Sequence, residues 1–197
     1  MVKADCGGCN GCSRCCHGMG NSIILDPYDV YRMTTGMGKS MQELLAASVE
    51  LNVVDGVILP NLKMQGAEEA CAYLDGEGRC SIHPYRPGIC RLFPLGRYYE
   101  NGGFSYFLQT GECAKENRSK IKVSKWIDTP DLTRNQQFTL QWHDLLHAME
   151  ERLTGEDEGK QREENLLLLR LFYLLPYEGT IDFYTQFTER MEHWNGQ

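Results

Sequence analysis

No run in this 197-residue chain is both long and apolar enough to cross a bilayer. The longest, Leu166 to Leu175, is too short and carries Arg170. The chain opens Met-Val-Lys-Ala-Asp-Cys, without an apolar leader segment. A cytoplasmic setting is therefore expected, in which thiols stay reduced and a disulfide framework is disfavoured. Basic residues are in the minority. Lys and Arg number 20 against 27 Asp and Glu, for a formal net charge of -7. That excludes a general nucleic-acid or anionic-membrane binder but leaves room for local basic patches. Several catalytic signatures are missing. No G-x-G-x-x-G follows a predicted strand, and there is no P-loop and no G-x-S-x-G elbow. The C-x-x-x-C-x-x-C spacing of radical enzymes is absent from the N-terminal run. Cysteine is absent after Cys113.

Before Cys113, cysteine dominates. Cys6, Cys9, Cys12, Cys15 and Cys16 fall in Cys-Gly-Gly-Cys-Asn-Gly-Cys-Ser-Arg-Cys-Cys, and Cys71, Cys80, Cys90 and Cys113 complete nine thiols. An apolar core has no use for this crowding. Small spacers let a backbone wrap around a central object, as a metal site requires. Thiolates are soft ligands that select zinc or iron–sulfur clusters. Zinc knuckles use paired C-x-x-C steps, whereas a cubane cluster takes closely spaced x2 ligands and a remote one. The x2 rhythm through Cys6, Cys9, Cys12 and Cys15 exceeds what one zinc knuckle needs. Adjacent side chains rarely point the same way, so Cys15 and Cys16 are compatible with two different sites. Spacing leaves the connectivity open.

The periodicity predicts an α+β chain. A small irregular cysteine-rich metal-binding region with short hairpins, residues 1–125, is followed by an α-helical part, residues 126–197, packing on it. Ser22–Leu25 reads as a short strand. Asp26-Pro27 starts a helix that stops at Gly36. Ser40-Met-Gln-Glu43 is a capping box opening a second helix through about Val49. Asp55-Gly56, Asp75 to Gly78 and Glu100 to Gly103 each mark a hairpin. Pro84 to Phe93 reads as a turn or short helix. Beyond Pro130, Trp142, Leu145, Leu146, Met149 and Leu153 make one helical stripe. Leu166–Leu175 is apolar on nearly every side and predicts a buried helix or, if uncovered, a homodimer face. Ile181 to Trp194 predicts a last amphipathic helix.

Cys9-x-x-Cys12-x-x-Cys15-Cys16, followed by Cys71-Ala-Tyr-Leu-Asp-Gly-Glu-Gly-Arg-Cys80-Ser-Ile-His-Pro-Tyr-Arg-Pro-Gly-Ile-Cys90-Arg-Leu-Phe-Pro94, resembles the YkgJ-type cysteine-cluster family of zinc or iron chelators over residues 9 to 113. The resemblance implies that Cys9, Cys12, Cys15, Cys16, Cys71, Cys80, Cys90 and Cys113 belong to the site, with Cys6 an addition to the pattern. The same region resembles the cysteine region of flagellin lysine methylases, which are considerably longer. Arg86 and Arg91 accompany the motif. Guanidinium groups beside thiolates offset charge and donate to sulfur, or else hold the loop through backbone carbonyls.

Three readings follow. The first is one or two iron–sulfur clusters of the 4Fe-4S type in a binding or redox protein. The second is a cluster with an open iron position in an enzyme, such as a lysine N-methylase-like activity. The third is a structural zinc site. Its partner would be a protein or small molecule that the sequence does not name. In the binding-protein reading the metal organises residues 1–113, which have little other core, so chelation should unfold them first. Weaker constellations have simpler readings. His143-Asp-Leu-Leu-His147 resembles a zinc-protease helix with Asp for Glu, but reads better as a solvated helix edge. His17, His83 and Tyr85 read as backbone partners or packing rather than ligands.

Overall fold

The structure, a computed structural model, describes residues 1–5, 7, 12–115 and 117–196. Cys6 and Cys9 lie outside the described residues. Among those described, helices combine with short antiparallel hairpins in an α+β fold, as the sequence predicts. The strands form four separate two-stranded ribbons rather than one sheet.

Helix α1, Pro27–Met37, opens on a reciprocal cap. Asp29 N donates to Asp26 Oδ1 at 2.8 Å and Asp26 N donates to Asp29 Oδ2 at 3.2 Å. The helix passes its predicted stop at Gly36. Gly38, at φ 63, takes the left-handed cap instead. Gly36 serves another purpose, since the Tyr85 ring packs where its Cβ would stand. Helix α2, Met41–Ala47, carries the expected Ser40–Glu43 box. Strands β2, Val49–Val54, and β3, Val57–Leu62, pair across Asp55-Gly56, both at positive φ as a tight hairpin requires. The predicted strand at Ser22–Leu25 runs beside β3: Leu25 N donates to Pro60 O and Leu62 N to Ile23 O.

Strands β4, Met64–Gln65, and β5, Ala70–Cys71, form a minimal ribbon. The hairpin expected at Asp75–Gly78 is reduced to a turn with a single bridge, Leu74 to Cys80. The turn is tied by Asp75 Oδ1, which accepts from Glu77 N and Arg79 N. Helix α3, Gly88–Leu92, is followed by the hairpin of β6, Leu95–Glu100, and β7, Gly103–Leu108. Three elements carry no sequence signal. The first strand, β1 at Val2–Asp5, pairs with β8 at Ser119–Ile121, and helix α4, Val123–Ile127, follows directly. Helices α5, Leu132–Leu153, α6, Glu158–Leu169, and α7, Phe183–Asn195, complete the chain.

One apolar core joins both parts of the chain. Leu25, Val30, Met33, Leu44 and Leu62 are buried together with Phe138, Trp142, Phe172 and Phe187. Edge-to-face ring pairs knit α5 to α7, with Phe138–Phe183 at 5.1 Å and Phe138–Phe187 at 4.8 Å. Each such pair adds about 0.5–1.5 kcal/mol beyond area burial. Tyr173 donates its hydroxyl to Leu25 O, and Asn165 Oδ1 accepts from Ile58 N at 2.6 Å. The expectation that residues 1–113 have little core besides the metal is therefore corrected. Their apolar faces are covered by the C-terminal helices, whose partners are too distant in sequence to be read. The Leu166–Leu175 segment is also less enclosed than predicted. A π-helical turn at Arg170–Leu174 rotates Phe172 and Tyr173 inward and leaves Leu166 54% and Leu175 49% exposed. A small second core of Leu92, Leu95 and Ile127, flanked by Val2 and Trp126, sits under the β1–β8 ribbon.

Candidate metal centre

Four chain segments converge on one chamber. The first is a 3-10 turn, Arg14–Cys16, closed by Cys16 N donating to Ser13 O at 2.8 Å. His17 bridges to Ala70, and Gly18 N donates to Glu69 O, so the turn is zipped onto β5 and its Cys71. The Asp75 turn folds Cys80 back beside Tyr73, to whose carbonyl Ser81 N donates. Helix α3 supplies Cys90. It is anchored from α1, because buried Asp29 accepts from Gly88 N at 2.6 Å.

Cys15, Cys16, Cys71, Cys80 and Cys90 line this chamber of about 270 Å3, with Met19, Ile23, Leu62, Ile82, Phe93 and Leu95 as its apolar walls. The structure thus brings together five of the nine sequence-selected cysteines. Cys12 and Cys113 line an adjoining compartment of about 30 Å3, which shares Cys15, Phe93 and Glu112 with the chamber. Cys6 and Cys9 lie outside the described residues. All seven described cysteines are free thiols.

The electrostatics call for a cation. The Cys16 thiol donates a hydrogen bond to Cys15 and holds its pKa down to about 6, despite burial; the backbone and Arg86 help. Cys16 is pushed far up as the donor of that bond and by burial. Burial raises Cys71, Cys80 and Cys90, and their thiolate neighbours raise them further. Five mutually repelling thiols cannot all ionise without a central positive charge. A thiophilic metal supplies that charge and deprotonates its ligands outright. The donor set and the chamber therefore fit a metal group.

The two arginines separate. Arg86 lines the chamber, and its charge favours the thiolates of Cys15 and Cys80. Its guanidinium has no hydrogen bond or ion pair among the described residues. Arg91 is buried away from the chamber wall. It lies 5.7 Å over the Tyr28 ring and donates to Arg86 O at 3.4 Å. His17 Nδ1 pairs with Glu68 O at 3.4 Å, a backbone role. His143 stacks on Tyr99 at 3.8 Å, and His147 faces Glu151, so the histidine pair forms a helix edge. No group of three His, Cys, Asp or Glu side chains among the described residues gathers closely enough for one metal ion. Sequence reasoning missed Asp29 and the apolar wall. Asp26-Pro27 signalled the helix start, but nothing local announced the tether of Asp29 to Gly88.

A family model described as "Putative zinc- or iron-chelating domain" matches residues 8–139. The chain belongs to the CxxCxxCC family. The match takes in every described cysteine and the first turns of α5, while the rest of the helical part lies beyond it. No curated protein and no solved structure gives a significant match. Among the described residues, no helix is long and apolar enough to cross a membrane.

Proposed function

We propose that this CxxCxxCC protein holds a polynuclear iron–sulfur cluster of the 4Fe-4S type in its five-thiol chamber. The observation that carries the reading is one of size. A mononuclear zinc site closes its sulfurs at about 2.3 Å around one ion. Here five thiols line a chamber of about 270 Å3, more room than one ion fills. Thiols spread around a volume suit the corners of a cluster. The adjoining compartment, about 30 Å3, has roughly a ninth of the chamber's volume, so the chamber is the better place for the cluster.

Cys16, Cys71, Cys80 and Cys90 would hold the cluster from four different segments, with Cys15 beside them at the junction of the two compartments. Bound there, such a group supplies one-electron chemistry or, with an open iron, Lewis acidity. The chain's own residues exclude water through Ile23, Leu62, Phe93 and Leu95 and offset thiolate charge through Arg86. Single Cys→Ser changes at 16, 71, 80 and 90 are expected to abolish or sharply reduce bound iron in anaerobically reconstituted protein, whereas Cys113→Ser retains it. Equal iron loss on changing Cys113 and Cys71 would overturn this assignment of ligands.

A further inference from the structure

Six of the chain's 20 basic residues lie on or next to the β1–β8 ribbon, on α4, and in the lining of the compartment of Cys12 and Cys113. Lys3 and Lys120 are directly opposite in the β1–β8 register, and Lys122 follows Lys120 by two positions along the extended chain. Lys125 is exposed on α4, while Arg14 and Lys115 line the compartment of Cys12 and Cys113. None of the six has an ion-pair partner among the described residues, where Arg79, Arg134, Arg152 and Lys160 are the Lys and Arg that do. Like charges directly opposite on a ribbon are destabilising. Lysines that guard an exposed strand edge would account for the ribbon alone. They do not account for Lys125, Arg14 and Lys115, which carry the basic excess off the ribbon to the compartment, where Glu112 is the one acidic residue beside them among the described lining residues. The face is also fixed in place: Val2 packs in the small core, and Trp126 Nε1 of α4 donates to Leu92 O and Phe93 O beside Cys90.

We propose that this basic face docks an acidic protein surface next to the metal centre. Charge complementarity selects the partner. A nucleic acid is disfavoured because Trp126, the aromatic of α4, is engaged with backbone and offers no free face for a base to stack on. A membrane is disfavoured because the apolar residues of β1 and α4 point inward to Leu92, Leu95 and Ile127. That the docked partner exchanges electrons with the centre rests on the cluster reading; the docking itself does not.

The test uses metal-loaded full-length protein and fluorescein-labelled polyglutamate as the acidic probe, with binding followed by anisotropy and metal content measured on the same samples. Binding is expected at low salt and should weaken steeply as the screening length falls below about 10 Å. The variant Lys120→Glu/Lys122→Glu should weaken it on the order of tenfold, and Lys160→Glu, on α6, should not. Absence of binding, equal weakening by both variants, or tighter binding of a duplex oligonucleotide or of anionic vesicles would each overturn the proposal. Loss of metal from unaltered protein would instead count against the cluster reading and leave the docking result standing.

Discussion

Replacing Asp29 with Ala tests how the fold holds Cys90 in the chamber. The Asp29 carboxylate is 2% exposed and accepts from two backbone donors, Asp26 N at 3.2 Å and Gly88 N at 2.6 Å. Burial pushes its pKa up, and Arg91 is the chief opposing charge. Truncation strands both donors. A buried donor left unsatisfied costs about 1–3 kcal/mol. It also removes the negative charge that faces buried Arg91, although the two form no direct ion pair. Removing the carboxylate's own desolvation offsets part of that sum. A net loss of about 2–4 kcal/mol is expected from the two stranded donors, a large fraction of a typical domain's 5–15 kcal/mol. Denaturant unfolding of metal-free protein reads this directly. The variant should also bind iron more weakly, because α3 loses its anchor to α1. Asp29→Asn, which keeps an acceptor for Gly88 N, should fall between the two. An Ala variant within about 1 kcal/mol of the parent, with unchanged iron content, would refute the reasoning.

Other consequences are more local. Gly36→Ala should destabilise by about 1–3 kcal/mol, because a methyl would meet the Tyr85 ring, and Tyr85→Ala in the same chain should recover part of the loss; calorimetry decides. Asn165→Ala should cost about 2–4 kcal/mol in denaturant unfolding, since it strands Ile58 N and Gly56 O at the tip of the β2–β3 hairpin. Burial, then the Asp29 charge, pushes the Asp26 pKa up to about 7 from 3.8. Between those values the folded chain keeps a proton that the unfolded chain has lost. This group's contribution is therefore most favourable at low pH and declines as pH rises to about 7. Asp26→Asn should flatten the pH dependence of stability over that window relative to the parent, and an unchanged slope would refute the assignment. Chelation should leave the helical circular dichroism largely intact, because the core is apolar and shared with α5–α7. Hydrogen exchange should accelerate around residues 12–18 and 71–90; global unfolding on chelation would show that the metal organises the whole core.

Much of the fold could be read because its signals are local. Asp26-Pro27, Ser40–Glu43, Asp55-Gly56 and the stripe from Trp142 to Leu153 each act within a few residues, and each element formed. The difficulties came from distant partners. Gly36 carries the local mark of a helix stop, but Tyr85, far along the chain, occupies the space above it. Val2–Asp5 is too short and polar to announce a strand, and its ladder is closed by Ser119–Ile121. The apolar run at Leu166–Leu175 suggested burial on every side, but the π-helical turn gives it one inner face. For the site, cysteine identity and spacing pointed to metal chemistry. Their division into a five-thiol chamber and a smaller compartment depends on how β5, the Asp75 turn and α3 are brought together, which spacing does not encode.

The most direct test of the central claim is the iron, zinc and acid-labile sulfide content of protein purified without oxygen, with its visible spectrum. A 4Fe-4S cluster predicts about four iron and four sulfide per chain, and a brown colour that bleaches with dithionite. Colourless protein with one zinc per chain and no sulfide would contradict it.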